Sequence, residues 1–98
     1  MDKVLLYNRL YGCYQELLTE REQEVFSLYY EENLSMGEIA EMKGISRSAV
    51  GAMVKNVEEK LDKYETILHK KEIQDDLTRI LNGEVENVAA EIERILQK

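Results

Sequence analysis

The residues best suited to chemistry in this sequence are one cysteine, Cys13, and one histidine, His69. Cys13 falls on the apolar repeat of the first predicted helix, which favours a small core residue over a nucleophile. His69 has no cysteine at the spacing of zinc ligands, and no serine or cysteine is placed to use it as a base. The sequence therefore predicts a protein that is not an enzyme and has no catalytic residue, metal site or cofactor.

The acidic and aromatic residues also have structural interpretations. The glutamate pairs and the pair Asp75 and Asp76 are typical of solvated helix faces, and there is no glycine-rich phosphate loop. Tyr7, Tyr11 and Tyr14 follow helical spacing, which favours packing over base stacking. At least one of the two tyrosines near the end of the second predicted helix is expected to be buried.

The start of the fourth predicted helix is the segment that suits contact with nucleic acid. We predict that the nucleic-acid-binding residues are Ser46, Arg47, Ser48, Gly51, Ala52 and Lys55. Gly51 and Ala52 are too small to form bidentate hydrogen bonds to base edges. The other polar side chains of this helix that could reach a ligand are those of Arg47, Ser48, Lys55 and Lys60. A second interpretation is that the small residues admit close packing by a protein or RNA partner.

The pattern over residues 35–61 predicts the helix-turn-helix that would position this surface. Ser35 and Glu38 form a capping box at the start of a short helix. Ala40 is small where two helices must cross closely, and Gly44 tolerates the positive φ of a tight turn. Ile45 and the apolar residues that follow it suit the inner side of the next helix. The competing interpretation is an ordinary helical hairpin.

Apolar periodicity predicts the helices around this motif. The first helix is expected from about Lys3 to Leu17, with Leu17 as the last residue of its apolar stripe, and the second from a capping box formed by Thr19 and Glu22. The third should turn Ile39, Ala40 and Met42 inward. Ser46 then caps a long fourth helix whose apolar positions alternate in steps of four and three. These positions are Val50, Val54, Val57, Leu61, Tyr64 and Leu68.

The phase of this repeat slips after Leu68, which predicts a kink near residues 70–72 and further helices over residues 73–80 and 85–96. The predicted fold is therefore all-α: a helix-turn-helix bundle over residues 1–69 and a C-terminal helical extension over residues 70–98. The first three helices are too short to cover the later apolar positions, so a homodimer is expected. Its predicted interface residues are Leu61, Tyr64, Leu68, Leu77, Ile80, Val88 and Ile92. The alternative is a compact monomer in which the last helices fold back.

Composition sets broad limits on function. The 98 residues are 44% hydrophobic and contain no proline, so a helical core is expected rather than disorder. No apolar run suits a membrane span, the start does not resemble a signal peptide, and the single cysteine fits the cytoplasm. The net charge is −7. Nine acidic against five basic residues between positions 19 and 61 give −4 there, which opposes phosphate binding.

The motifs resemble two related families. The strings LTERE at 18–22, EIAE at 38–41 and GISRS at 44–48 resemble the fourth region of sigma factors. A longer match, over about two thirds of the chain, resembles the YlxM-like family of bacterial helix-turn-helix proteins. It consists of LYGCYQELLT at 10–19, LYY at 28–30, SMGEIAE at 35–41, SRSAV at 46–50 and YETILH at 64–69.

The YlxM-like resemblance implies a regulatory or accessory role in the signal recognition particle pathway, because the family's genes commonly lie beside those of the particle and its receptor. The implied partners are nucleic acid, either DNA or the particle's RNA and bound weakly, a protein of the particle, and a second copy of the chain. The sequence departs from related recognition helices at Gly51, Ala52 and Asn56. Two alternatives remain: a sequence-specific transcription regulator using Arg47, Ser48 and Lys55, and a protein-interaction module without nucleic-acid contact.

Overall fold

The computed structural model describes residues 2–98 and is all-helical over that range. This agrees with the predicted fold class. The chain forms α1 (Lys3–Tyr14), a 3₁₀ turn (Gln15–Leu17), α2 (Glu20–Tyr30), α3 (Met36–Lys43), α4 (Arg47–Leu68), α5 (Lys70–Leu81) and α6 (Val88–Leu96).

The helix starts lie where the capping residues predict them. Thr19 accepts a hydrogen bond from the backbone amide of Glu22 at 3.2 Å, and the Glu22 carboxylate accepts one from the Thr19 amide at 2.8 Å. Ser35 and Glu38 make the same reciprocal pair at 3.1 and 3.0 Å. Each capping box satisfies two amides that have no partner within the helix, so both predicted starts are confirmed.

The turn between α3 and α4 is closed by Gly44, whose φ of 66° lies in the left-handed region. Glycine adopts this conformation without steric cost, as the helix-turn-helix pattern requires. The Ile45 amide then donates to the Ala40 carbonyl at 3.1 Å, and Ser46 accepts from the Ala49 amide at 3.0 Å to start α4. The predicted helix-turn-helix is confirmed.

The core lies between α4 and the three helices before it. Val50, Val54, Val57 and Leu61 form the buried face of α4. The helices before α4 and their connection contribute Leu10, Tyr11, Tyr14, Leu18, Val25, Phe26, Tyr30, Ile39 and Ala40. Several rings pack against each other, as with Phe26 and Tyr30, whose centroids are 4.5 Å apart. The face of α4 opposite this core is therefore the face left for a ligand.

Two predicted core positions are wrong. Leu17 is exposed and Leu18 is buried instead. The chain forms a 3₁₀ turn over residues 15–17, with three residues per turn instead of 3.6. The side chains after Tyr14 therefore point in other directions than a continued α-helix would give them, and Leu18 faces the core in place of Leu17. Met42 is 62% exposed because it lies roughly 200° around α3 from Ala40, on the side away from the core.

Ala40 provides a test of the crossing between α3 and its neighbours, because it is buried in the core. Ala40→Leu is expected to lower the free energy of unfolding by about 1–3 kcal/mol, since the added methylenes have no space. Ala52→Leu, on the exposed side of α4, is the matched control and should change it by less than about 0.5 kcal/mol. Urea unfolding followed by circular dichroism measures both. Equal stability of the two variants would show that Ala40 is not at a close crossing.

The junction between α4 and α5 is held by side chains from α1 and α4. His69 has a left-handed φ of 55°, so the break lies just before the predicted kink. The Glu65 carboxylate accepts hydrogen bonds at 3.0 Å from the backbone amides of Lys71 and Glu72, and it accepts a third from the Tyr14 hydroxyl at 2.6 Å. Burial and this hydrogen bond raise the pKa of Tyr14 to about 12, so the hydroxyl keeps its proton.

Helices α5 and α6 form a hairpin that makes the molecule elongated, with principal extents of 54 × 22 × 18 Å. α5 contacts α1 through an ion pair between Arg9 and Asp75. α6 packs on α5, where buried Asp76 lies 3.1 Å from both Arg94 and Lys98. No helix among the described residues has the length and apolar character needed to cross a membrane.

Candidate nucleic-acid interface

The predicted nucleic-acid-binding residues lie together on the outer face of α4. Ser46, Arg47, Ser48, Ala52 and Lys55 are exposed and Gly51 is half-buried. At 100° per residue, positions 48, 51, 52 and 55 share one side of the helix, and Arg47 lies at its edge. We call this surface, residues 46–48, 51, 52 and 55, the outer stripe.

Arg47 reaches across the turn toward the start of α3. A Cβ atom added at Gly37 would lie 3.7 Å from the Arg47 Nε atom. The glycine therefore leaves room for the guanidinium stem to lie over α3. This places a cation at one end of the outer stripe, and Lys55 places a second cation two turns further along α4.

Both cations are available to a ligand. Within residues 2–98, neither Arg47 nor Lys55 forms an ion pair with a carboxylate, whereas Lys43 on α3 is paired with Glu24. Two unpaired cations separated by small residues suit contact with a phosphate backbone more than contact with base edges.

Lys60, which the sequence indicated as a further polar residue of this helix able to reach a ligand, does not belong to this surface. Its Nζ atom lies 2.5 Å from a Glu22 carboxylate oxygen, and Asn56 donates to the same oxygen at 3.3 Å. Burial opposes ionisation of Glu22, but the hydrogen bonds from Lys60 and Thr19 outweigh it and lower the pKa of the carboxyl. Lys60 therefore joins α4 to α2 and has no free charge to offer a ligand.

A groove that the sequence pattern did not predict adjoins the outer stripe. It has a volume of about 360 Å³ and is lined by Lys3, Tyr29, Met36, Gly51, Val54, Lys55 and Glu58. Gly51 lies against the Met36 side chain at this groove, because a Cβ atom added at Gly51 would be in van der Waals contact with the Met36 sulfur at 3.4 Å. A second groove of similar volume lies on the other side of Tyr29, between α2 and the start of α3. Tyr29 is half-buried beside these grooves and Tyr30 is buried, which agrees with the expectation that at least one of the two is buried.

The predicted dimer interface divides into two parts. Leu61 is 0% exposed within the single chain, because it belongs to the core that α4 forms with the helices before it, so it cannot lie on a surface. That prediction is wrong for Leu61. Tyr64 is half-buried against Tyr14, with ring centroids 5.9 Å apart. The other predicted residues remain exposed or half-buried: Leu68, Leu77, Ile80, Val88 and Ile92. The structure adds Leu81 and Leu96 to the exposed leucines of the hairpin.

Cys13 and His69 each lie beside a polar side chain of α5. Burial raises the pKa of the Cys13 thiol, whose sulfur lies 3.5 Å from the Gln74 side-chain oxygen. The His69 Nδ1 atom lies 3.1 Å from a Glu72 carboxylate oxygen. Across residues 2–98 no three cysteine, histidine or acidic side chains are grouped so that they could hold a metal ion.

Comparison with known proteins agrees with the helix-turn-helix geometry. Residues 1–98 match the model of the UPF0122 family, described as "Putative helix-turn-helix protein, YlxM / p13 like". A UPF0122 protein of Halalkalibacterium halodurans is 39% identical over 92 residues, covering 91% of this chain and 84% of the relative. A "Probable UPF0122 protein" of Mycoplasma mycoides is 38% identical over 82 residues, covering 84% of this chain and 73% of the relative.

Proposed function

The chain belongs to the UPF0122 family of YlxM/p13-like helix-turn-helix proteins, and from this premise we propose that it is a non-catalytic regulatory or accessory protein that binds nucleic acid through the outer stripe of α4. The observation that carries the proposal is the pair of unpaired cations, Arg47 and Lys55, on one exposed helix face. A face of this kind follows a phosphate backbone closely, because Gly51 and Ala52 leave no side chain in the way.

The same face argues against a sequence-specific transcription regulator. Such a protein reads base edges with side chains that form paired hydrogen bonds, and the middle of the outer stripe carries Gly51 and Ala52. The net charge of −7 further weakens attraction to generic duplex DNA. We therefore expect weak, strongly salt-dependent binding that depends on the shape of the nucleic acid.

The proposed pathway is protein targeting in the cytoplasm, with the RNA of the signal recognition particle as the nucleic acid and a protein of the particle as a second partner. This part of the proposal rests on the family's characteristic gene neighbourhood. The alternative of a pure protein-interaction module predicts that the chain captures the particle's protein but binds no RNA or DNA at low salt.

Charge removal on the outer stripe tests the proposal. Replacing Arg47 and Lys55 by glutamine is expected to weaken RNA binding by roughly tenfold or more, because two charge-assisted contacts are lost. The slope of log affinity against log salt should also fall by about 2. Fluorescence anisotropy with labelled particle RNA measures both quantities, with an unrelated RNA hairpin and a DNA duplex for comparison.

Lys63→Gln is the matched control, because Lys63 is an exposed lysine of α4 outside the outer stripe. It should leave both the affinity and the salt slope nearly unchanged. An equal effect of Lys63→Gln would show that net charge, and not the outer stripe, governs binding. Nanomolar affinity for one defined duplex at physiological salt would instead favour the transcription regulator.

We further propose that two copies pair through the C-terminal hairpin, residues 70–98, which extends from the helix-turn-helix domain of residues 1–69. The hairpin has little core of its own: Ile95 is its one buried apolar residue, while Leu77, Leu81, Ile92 and Leu96 are exposed. A two-helix hairpin gains stability by covering such residues, and a second copy presents the same surface. Pairing would hold two outer stripes in a fixed relation.

A further inference from the structure

Tyr29 differs from every other tyrosine in the chain. Within residues 2–98 its hydroxyl has no hydrogen-bond partner, and its ring is half-buried. The other five hydroxyls donate to protein acceptors: Tyr7, Tyr11, Tyr14, Tyr30 and Tyr64. The hydroxyl of Tyr29 is not among the buried side-chain oxygens that have no partner, which are those of Asn8 and Asp76, so it is open to solvent. Tyr29 therefore has a polar tip and part of a ring available to something outside the chain.

The ring of Tyr29 is held in place by its neighbour. Tyr30 packs edge-on against it, with centroids 5.1 Å apart and ring planes at 85°. Tyr30 is itself buried and donates its hydroxyl to Glu58. Tyr29 is therefore a pre-oriented aromatic surface, and binding to it requires little ordering of the side chain.

The groove on the α4 side of Tyr29 combines this ring with positive charge. Lys55 is unpaired, and Lys3 lies 3.5 Å from Glu58, whose charge it balances. Met36 and Gly51 form an apolar floor next to the outer stripe. An aromatic ring, an apolar floor and a flanking cation are the features that proteins use to hold an unstacked base beside its phosphate.

We propose that the Tyr29 groove binds one unstacked nucleobase of a single-stranded or bulged segment, with Lys55 on the adjacent phosphate. This inference rests on the proposed function, because the outer stripe must first bring nucleic acid to α4. It gives the ligand a chemical class: nucleic acid that has at least one base outside a duplex. A continuous duplex cannot fill the groove, because its bases remain stacked inside the helix.

The test compares three ligands of similar length: an RNA hairpin with one bulged nucleotide and a non-nucleotide linker in place of its loop, the same hairpin without the bulge, and a single-stranded DNA. The linker removes loop bases, so the bulge is the one base of the first ligand outside the duplex. The wild-type chain should bind the bulged hairpin more tightly than the paired hairpin. Tyr29→Leu should weaken binding to the bulged hairpin by about five- to 150-fold, the effect expected for loss of one stacked base, and should leave the paired hairpin nearly unchanged. Tyr29→Phe keeps the ring and should retain most of the preference.

A second variant guards against loss of stability in Tyr29→Leu. Gly51→Leu places a side chain at the groove and removes nothing from the core, so it should also abolish the preference for the bulge. Because Gly51 also belongs to the outer stripe, the quantity to compare is the ratio of the two hairpin affinities and not either affinity alone. Gly12→Leu is the matched control, because Gly12 is an exposed helical glycine with no atom within 4 Å of an added Cβ. If Tyr29→Leu and Gly51→Leu weaken binding to the single-stranded DNA as well as to the bulged RNA, the groove binds a base whether the sugar is deoxyribose or ribose.

The two proposals fail in different ways. One outcome is that the Arg47 and Lys55 variant loses affinity while Tyr29→Leu and Gly51→Leu retain the wild-type preference for the bulged hairpin. In that case the groove is not a base site, and nucleic-acid binding by the outer stripe remains supported. If wild type binds the paired hairpin as tightly as the bulged one, the groove proposal is also overturned. If none of these variants changes binding to any of the ligands, both proposals are overturned.

Discussion

Replacing Leu61 by aspartate is expected to unfold the chain at room temperature. Leu61 is 0% exposed and lies in the core between α4 and the helices before it. The substitution removes a buried leucine, which costs about 2–5 kcal/mol, and buries a carboxylate that has no partner, which costs several kcal/mol more. Together these approach the whole stability of a small domain, about 5–15 kcal/mol. Circular dichroism should show loss of most helical signal and no cooperative melt.

Leu68→Asp is the control for this result. Leu68 belongs to the same apolar repeat of α4 but is 51% exposed, so the aspartate remains hydrated and the chain should stay folded. The sequence alone assigned both leucines to an interface between chains. Similar melting curves for the two variants, each folded, would contradict the structure and return Leu61 to such an interface.

Placing aspartates at Leu77 and Ile92 is expected to separate the proposed dimer into single chains. These residues are 45% and 42% exposed in the single chain, on α5 and α6 respectively. Each buried anchor contributes roughly 1–2 kcal/mol or more to an interface, so the pair should raise the dissociation constant by about 100-fold. Light scattering at micromolar concentration should show the mass fall to that of one chain, 11.5 kDa.

The folded state of the double variant separates loss of pairing from loss of structure. Its helical signal should match that of the wild type, because neither Leu77 nor Ile92 is buried within the single chain. Thr78→Asp, at an exposed position beside Leu77, is the control and should keep the dimer mass. A wild-type mass of one chain would refute pairing outright, and an unchanged mass in the double variant would place the interface elsewhere.

Features encoded over three or four residues were predictable from the sequence. The two capping boxes, the glycine of the turn and the serine cap of α4 each depend on one local spacing. The solvent-facing position of the outer stripe follows from the apolar repeat, because Ser48, Ala52 and Lys55 lie on the side of the helix opposite Val50 and Val54. These features together define the helix-turn-helix and the family resemblance.

The errors share a different origin. Lys60 is taken out of the binding surface by Glu22, which lies 38 positions earlier in the chain. Leu17 lost its core position to a 3₁₀ turn that no local residue pattern marked, and Leu61 lies within the core of the single chain. Periodicity identifies an apolar position but does not identify which element covers it.

The sequence by itself thus determined the starts of α2, α3 and α4, the tight turn before α4 and the residues on its outer face, because these depend on backbone caps and on 3.6-residue periodicity. Only the tertiary structure decided that Leu61 belongs to the core and that Tyr29 borders an open groove. It also showed that Glu65 and Tyr14 hold α5 at its angle to α4. Those outcomes depend on contacts between residues far apart in the chain, and side-chain packing settles them only once all the helices are in place.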